Sequence, residues 1–242
     1  MDYHWGIISN VFNSKFYLEI SDYSVVNINS RSRALPTPIM PIVLNLCIIL
    51  IIYLKNIIIK IIYNRTMSSK NEILLIQSQF DVVWKLAQLI LPKLITEDHF
   101  WEPVLGSWSM RKNQKGWWKV DLEIPEPEPT PTTTIAWLTW HIQWWWSSFF
   151  AVYDKKKPFE ISEIAWPGNA SEVNKMLNEL HDRHAALLAS MNEAALSEMF
   201  EYPWQKPRQF RFALGWVNIE LMKNVAEIGQ VYHYKQFKRE NS

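Results

Sequence analysis

The stretch Thr134-Ile-Ala-Trp-Leu-Thr-Trp-His141-Ile-Gln-Trp-Trp-Trp146 is apolar, loaded with tryptophan, and carries one histidine near its middle. Read as a helix, it brings Trp137, His141, Trp144, Trp145 and Ser148 onto one broad face at i, i+3, i+4, i+7 spacing. A histidine set in so much aromatic surface needs a partner for its ring nitrogens, because an unpaired buried polar group costs about 1–3 kcal/mol. A metal, a carboxylate or a backbone carbonyl would each serve. Which one it is decides whether this protein is an enzyme.

Outward from that stretch the chain reads as four amphipathic segments. Thr132 to Thr134 offer N-cap hydroxyls, so the histidine-bearing helix is expected at about 134–152. Before it, Pro125-Glu-Pro-Glu-Pro-Thr-Pro131 is a stiff, extended connection. Further upstream, Ile73, Ile76, Phe80, Val83, Trp84, Ala87 and Ile90 recur at helical spacing over 72–91, and Pro92 stops the helix. Residues 98–132 read as irregular. A third helix is expected after Pro167-Gly168, capped by Ser171, and a fourth over about 212–234 with Leu214, Val217, Leu221, Val225, Ile228 and Val231 inward. Residues 197–211 between them read as a loop. The connections are long for an up-down bundle, and long loops at a bundle end are common places for a pocket.

Composition narrows the class. The chain has 6 glycines against 13 prolines and 14 tryptophans, which suits a helical bundle with stiff connections better than a sheet protein. A net charge of +1 with no polybasic stripe sets nucleic acid aside as a partner. The single cysteine, Cys47, excludes an intrachain disulfide framework and a Cys-rich zinc module. There is no Gly-x-Gly-x-x-Gly, phosphate loop or Gly-x-Ser-x-Gly elbow.

Residues 1–66 read differently from 67–242. They are rich in Ile, Asn, Ser and Tyr and almost lack Ala and Trp, whereas ordinary globular composition begins at Met67-Ser-Ser-Lys. Two readings stand. The extension lies upstream of a translation start at Met67, or it holds a membrane segment over about 39–63. Ile39 to Leu54 reaches only about 24 Å against a hydrocarbon core of about 30 Å, and lengthening it to Tyr63 admits Lys55, Asn56 and Lys60. If it spans, Lys55, Lys60, Arg65 and Lys70 on its C-terminal side lean towards a cytoplasmic 67–242 domain. Both readings leave the folded domain in the cytoplasm.

Thr134-Ile-Ala-Trp-Leu-x-Trp-His141-Ile, with Glu220-Leu-Met-Lys-Asn-x-Ala-Glu-Ile-Gly-Gln230 and Trp166-Pro-Gly168, resembles the DinB-like superfamily across 67–242. The resemblance implies an all-α four-helix bundle related to metal-dependent hydrolases and thiol transferases. It also implies a zinc or nickel site built from one helix-two histidine and a His-x3-His pair just before a Gly-Gln. Here His141 matches the first ligand. Counting back from Gly229-Gln230, the pair falls on Lys223 and Glu227. Glu227 can offer a carboxylate, but protonated Lys223 cannot ligate and repels a cation, so the triad is incomplete and no cofactor is expected to be held tightly.

Three readings of His141, Lys223 and Glu227 remain open. They form a buried network that replaces the metal; or Glu220, Lys223 and Glu227 form a solvated helix face; or the cluster lines a pocket. In the last case His141 is the candidate base, kept in one tautomer by Glu227, and Trp137, Trp144, Trp145 and Lys223 are candidate binding residues for a small molecule. The function expected is that of a DinB-like relative with a degraded metal site, or alternatively a non-catalytic binding or structural four-helix protein. His181 and His184 read as surface or boundary residues. One of Trp144, Trp145 and Trp146 should sit at a boundary, over a pocket or a homodimer contact.

Overall fold

The computed structural model describes Leu54, Lys55, Ile57 and residues 71–240. The extension 1–66 and its apolar run 39–63 therefore lie almost wholly outside the described residues. Four long helices carry the fold: α1 over 71–88, α3 at Ile135–Tyr153, α4 at Ala170–Ser190 and α6 at Phe210–Glu240. Two short helices, α2 at Thr96–His99 and α5 at Glu193–Ser197, sit in the connections. So do two antiparallel pairs of short strands. Strand β1 (Met110–Lys112) pairs with β2 (Trp118–Val120), Met110 opposite Val120, and β3 (Met199–Phe200) pairs with β4 (Arg208–Gln209). The expected all-α bundle is the fold found.

Side-chain links fix the direction of each helix. Arg211 pairs with Glu72 and Asn218 donates to the Ile76 carbonyl, so α6 runs parallel to α1. Gln77 reaches the Leu188 carbonyl and Gln88 reaches Asn178, so α4 is antiparallel to α1. Phe149 stacks on Phe210 and Trp145 bonds Asn224, so α3 is antiparallel to α6. The order is up, down, down, up. The α3–α4 connection must then travel the length of the bundle. It does so as a strap along α3, held by Ser148 to the Phe159 amide, Trp144 to the Phe159 carbonyl, Gln143 to the Ala165 carbonyl, and Trp166 to Thr139.

That strap explains the tryptophan-rich helix. With α4 and α6 on its flanks and the strap on a third side, α3 is buried nearly all round, Ile135 through Ile142 without a break. Thr134 caps it as expected, its hydroxyl accepting from the Trp137 amide at 3.3 Å. Trp145 and Trp146 are buried, and Trp144 is the one at the boundary.

Several expectations are corrected. The α4 cap is Asn169, not Ser171: Gly168 turns the chain at φ +86°, which delivers Asn169 extended with its side chain on the Glu172 amide. A side chain at Gly168 would also run into the Trp118 indole. Residues 98–132 are not wholly irregular, since the β1–β2 hairpin closes around Asn113, whose Oδ1 accepts from the amides of Lys115 and Trp117. The 197–211 segment is likewise pinned by β3 and β4. Helix α6 continues past Tyr234 because Lys235 forms a buried ion pair with Asp98 at 2.6 Å, and Lys238 lies over the Trp101 ring. His184 is no surface residue. It is fully buried among Phe80, Trp146, Phe149 and Phe150, its Nδ1 accepting from the Trp146 indole.

Among the described residues, Asn71–Lys93 is long and apolar enough to cross a membrane. Its inward stripe of Ile76, Phe80, Val83, Trp84 and Ala87 is nevertheless part of the bundle core.

Candidate functional site

The polar residues of interest lie where α3 and α6 face each other. His141 is buried at 7 % exposure, with Trp137 stacked on its ring at 4.9 Å and Nδ1 without a partner among the described residues. Burial, reinforced by the nearby Lys223 charge, pushes its pKa down to about 3, with Asn224 acting in the opposite direction. At neutral pH the ring is uncharged.

Across from it, α6 presents Glu220, Lys223, Asn224 and Glu227. The i, i+3, i+4, i+7 spacing puts all four towards α3. Lys223 closes an ion pair with Glu220. Asn224 sits at the centre: its Oδ1 accepts from the Trp145 indole at 3.1 Å, and its Nδ2 donates to Glu227 Oε2 at 3.3 Å. Burial raises the Glu227 carboxyl pKa, while Lys223 and Asn224 pull it back. An aromatic wall completes the site. Trp216 meets Trp145 edge-on at 5.3 Å and Tyr202 edge-on at 5.6 Å, and the Trp216 Nε1–H is buried without an acceptor among the described residues. Burial also pushes the Tyr202 phenol up.

The candidate residues named from the sequence are therefore distributed as follows. His141 and Lys223 face each other, and the link from His141 to Glu227 runs through Asn224. Trp145 joins the network through its indole. Trp137 covers His141 but spends its N–H on the Asp121 carbonyl, and so also ties the hairpin down. Trp144 turns its N–H to the strap, 6.1 Å centre to centre from the His141 ring. Sequence reasoning missed Asn224, Tyr202 and Trp216. The signal for Asn224 was present, as a polar residue between Leu221 and Val225 on the buried side of α6.

The donor set does not fit a three-imidazole metal site. One ring nitrogen, one carboxylate of raised pKa and one ammonium already bound to Glu220 stand where three neutral imidazoles are needed. Among the described residues no group of three His, Cys, Asp or Glu side chains is placed to share an ion.

A four-helix bundle with a crossing strap, one histidine on α3 and a polar quartet on α6 before a Gly-Gln defines a class of helical domain. The chain belongs to the DinB superfamily, whose family pattern matches residues 79–228, from within α1 to within α6. Neither the curated proteins nor the solved structures gave a match.

Proposed function

We propose that this chain is a metal-independent, non-catalytic DinB domain that binds a small polar molecule between α3 and α6. The observation that carries the proposal is the Lys223–Glu220 ion pair beside the neutral His141 ring. A tethered ammonium supplies the positive charge there, so a cation would be repelled rather than bound. His141 is also a poor general base, because catalysis near pH 7 wants a conjugate acid near pH 7 and this one is at about 3. Binding capacity remains in the buried, unpartnered nitrogens of His141 and Trp216 and in the half-exposed Lys223 ammonium. On this reading the domain works in the cytoplasm.

Thermal unfolding of the full chain against a panel of small carboxylates and amides tests this. A stabilising compound is expected, with its shift lost in Lys223→Gln and in His141→Phe. Turnover of an ester, amide or activated thiol acceptor that disappears in His141→Gln would make the protein an enzyme and end the proposal.

A further inference from the structure

Helix α1 carries two apolar stripes. The inner one packs in the core. The outer one, Leu75, Val82, Leu86 and, in the turn that ends the helix, Leu89, is 41–58 % exposed, and with Gln79 its steps are 4, 3, 4, 3. Beside it on α6, Phe212, Ile219 and Met222 are 36–60 % exposed, and with Gly215, Ala226 and Gly229 their steps are 3, 4, 3, 4, 3. A groove of about 400 Å³ runs between the two stripes, with Val82, Ile219 and Met222 along it. Steps alternating between three and four are the spacing by which one helix seats side chains between those of another. Two adjacent helices both show it on their outward faces.

The glycines point the same way. A helix-interior glycine costs about 1 kcal/mol relative to alanine. A Cβ at Gly215 or Gly229 would meet nothing within 4 Å, so no contact among the described residues requires either glycine. Both lie on the outward seam of α6, where a missing side chain lets another backbone come close.

We propose that the α1–α6 face is where a second copy of this chain docks, forming a twofold dimer. Three observations favour a second copy. A twofold contact sets the same α1–α6 pair of the partner against this one, so each seam meets a seam of like spacing. The exposed apolar side chains offer on the order of 600 Å² per copy, near the roughly 800 Å² per partner of a standard interface once flanking polar groups are counted. The exposed charges flanking the α1 seam are of both signs, Asp81 and Lys85, so copies need not repel. An anionic membrane surface would instead call for a cluster of basic residues.

The test uses the full chain. Light scattering is expected to give twice the 28.7 kDa chain mass, and Val82→Asp with Ile219→Asp is expected to give a single-chain mass with unchanged helical circular dichroism. A wild-type monomer, or a double variant that stays dimeric, overturns the proposal. Val82→Cys treated with a bis-maleimide keeps the question open to refutation if the aspartates unfold the chain. A doubled-mass band that survives Cys47→Ser supports the dimer. A single-mass product in which Cys47 is bridged to the introduced thiol of the same chain shows that residues 39–63 cover the groove, and overturns it. So does flotation of the wild type, but not the double aspartate variant, with phosphatidylcholine–phosphatidylserine vesicles.

Discussion

Asn224 accepts the Trp145 indole N–H at 3.1 Å and donates to Glu227 at 3.3 Å, so one amide side chain joins α3 to the carboxylate on α6. An amide can do both at once, since it carries an acceptor and a donor on the same planar group.

Replacing Asn224 separates the two roles. Asn224→Ala leaves a buried indole N–H without an acceptor and is expected to cost about 1–3 kcal/mol in urea unfolding. Asn224→Asp keeps the acceptor but sets a second carboxylate against Glu227. Its stability relative to the unmodified chain is expected to fall as pH rises from 5 to 8, because like charges there ionise at a cost. An equal difference between Asn224→Asp and the unmodified chain at both pH values would remove Asn224 from the centre of the network.

The far end of α6 is held by Lys235 on Asp98, a pair 13 % and 4 % exposed. Lys235→Met removes the cation and leaves Asp98 buried, with only the Ile95 amide on its other oxygen at 2.9 Å. A loss of about 3–5 kcal/mol is expected, with hydrogen exchange rising first after residue 231. Full stability in Lys235→Met would show that the last two turns of α6 are held by other contacts.

The reach of the sequence is uneven, and for a physical reason. Thr134 and the α3 boundaries were readable because cap and apolar run are local. The ends of α6 were not: Lys235 is held by a residue 137 positions away, and nothing in the local text after Tyr234 signals it. His184 misled because two histidines, an Asp and an Arg in a row look solvated, whereas His184 turns fully into an aromatic cage and His181 lies at the boundary, stacked on Phe80 and Trp84. The His141, Lys223 and Glu227 positions followed from counting back from Gly229-Gln230. Asn224 did not, because that count looks for ligands and an amide is not one. Tyr202 and Trp216 come to the site through tertiary packing, which no local spacing reveals.

Three buried histidines make stability fall in acid. His141 and His184 are both depressed to about 3, chiefly by burial, and burial lowers His99 as well. A histidine with a folded pKa below its unfolded value contributes stability that is complete above about pH 6.5 and lost as pH falls towards 3. Between those limits His141 and His184 alone let unfolding take up two protons, a slope of about 2.7 kcal/mol per pH unit, and His99 adds to it. His184→Phe is expected to lower stability at pH 7 by about 1–3 kcal/mol, since Trp146 loses its acceptor, yet to flatten the acid slope by about one proton. An unchanged slope would mean that His184 is not titrating on unfolding.

The metal content of the purified full chain tests the central claim most directly. Elemental analysis after incubation with zinc or nickel and desalting is expected to give far less than one ion per chain, and Lys223→His with Glu227→His is expected to raise it towards one by restoring three imidazoles at family spacing. One zinc or nickel retained per unmodified chain would contradict the account, because it would require the ion to displace Lys223 from Glu220 beside a histidine the structure keeps neutral and buried.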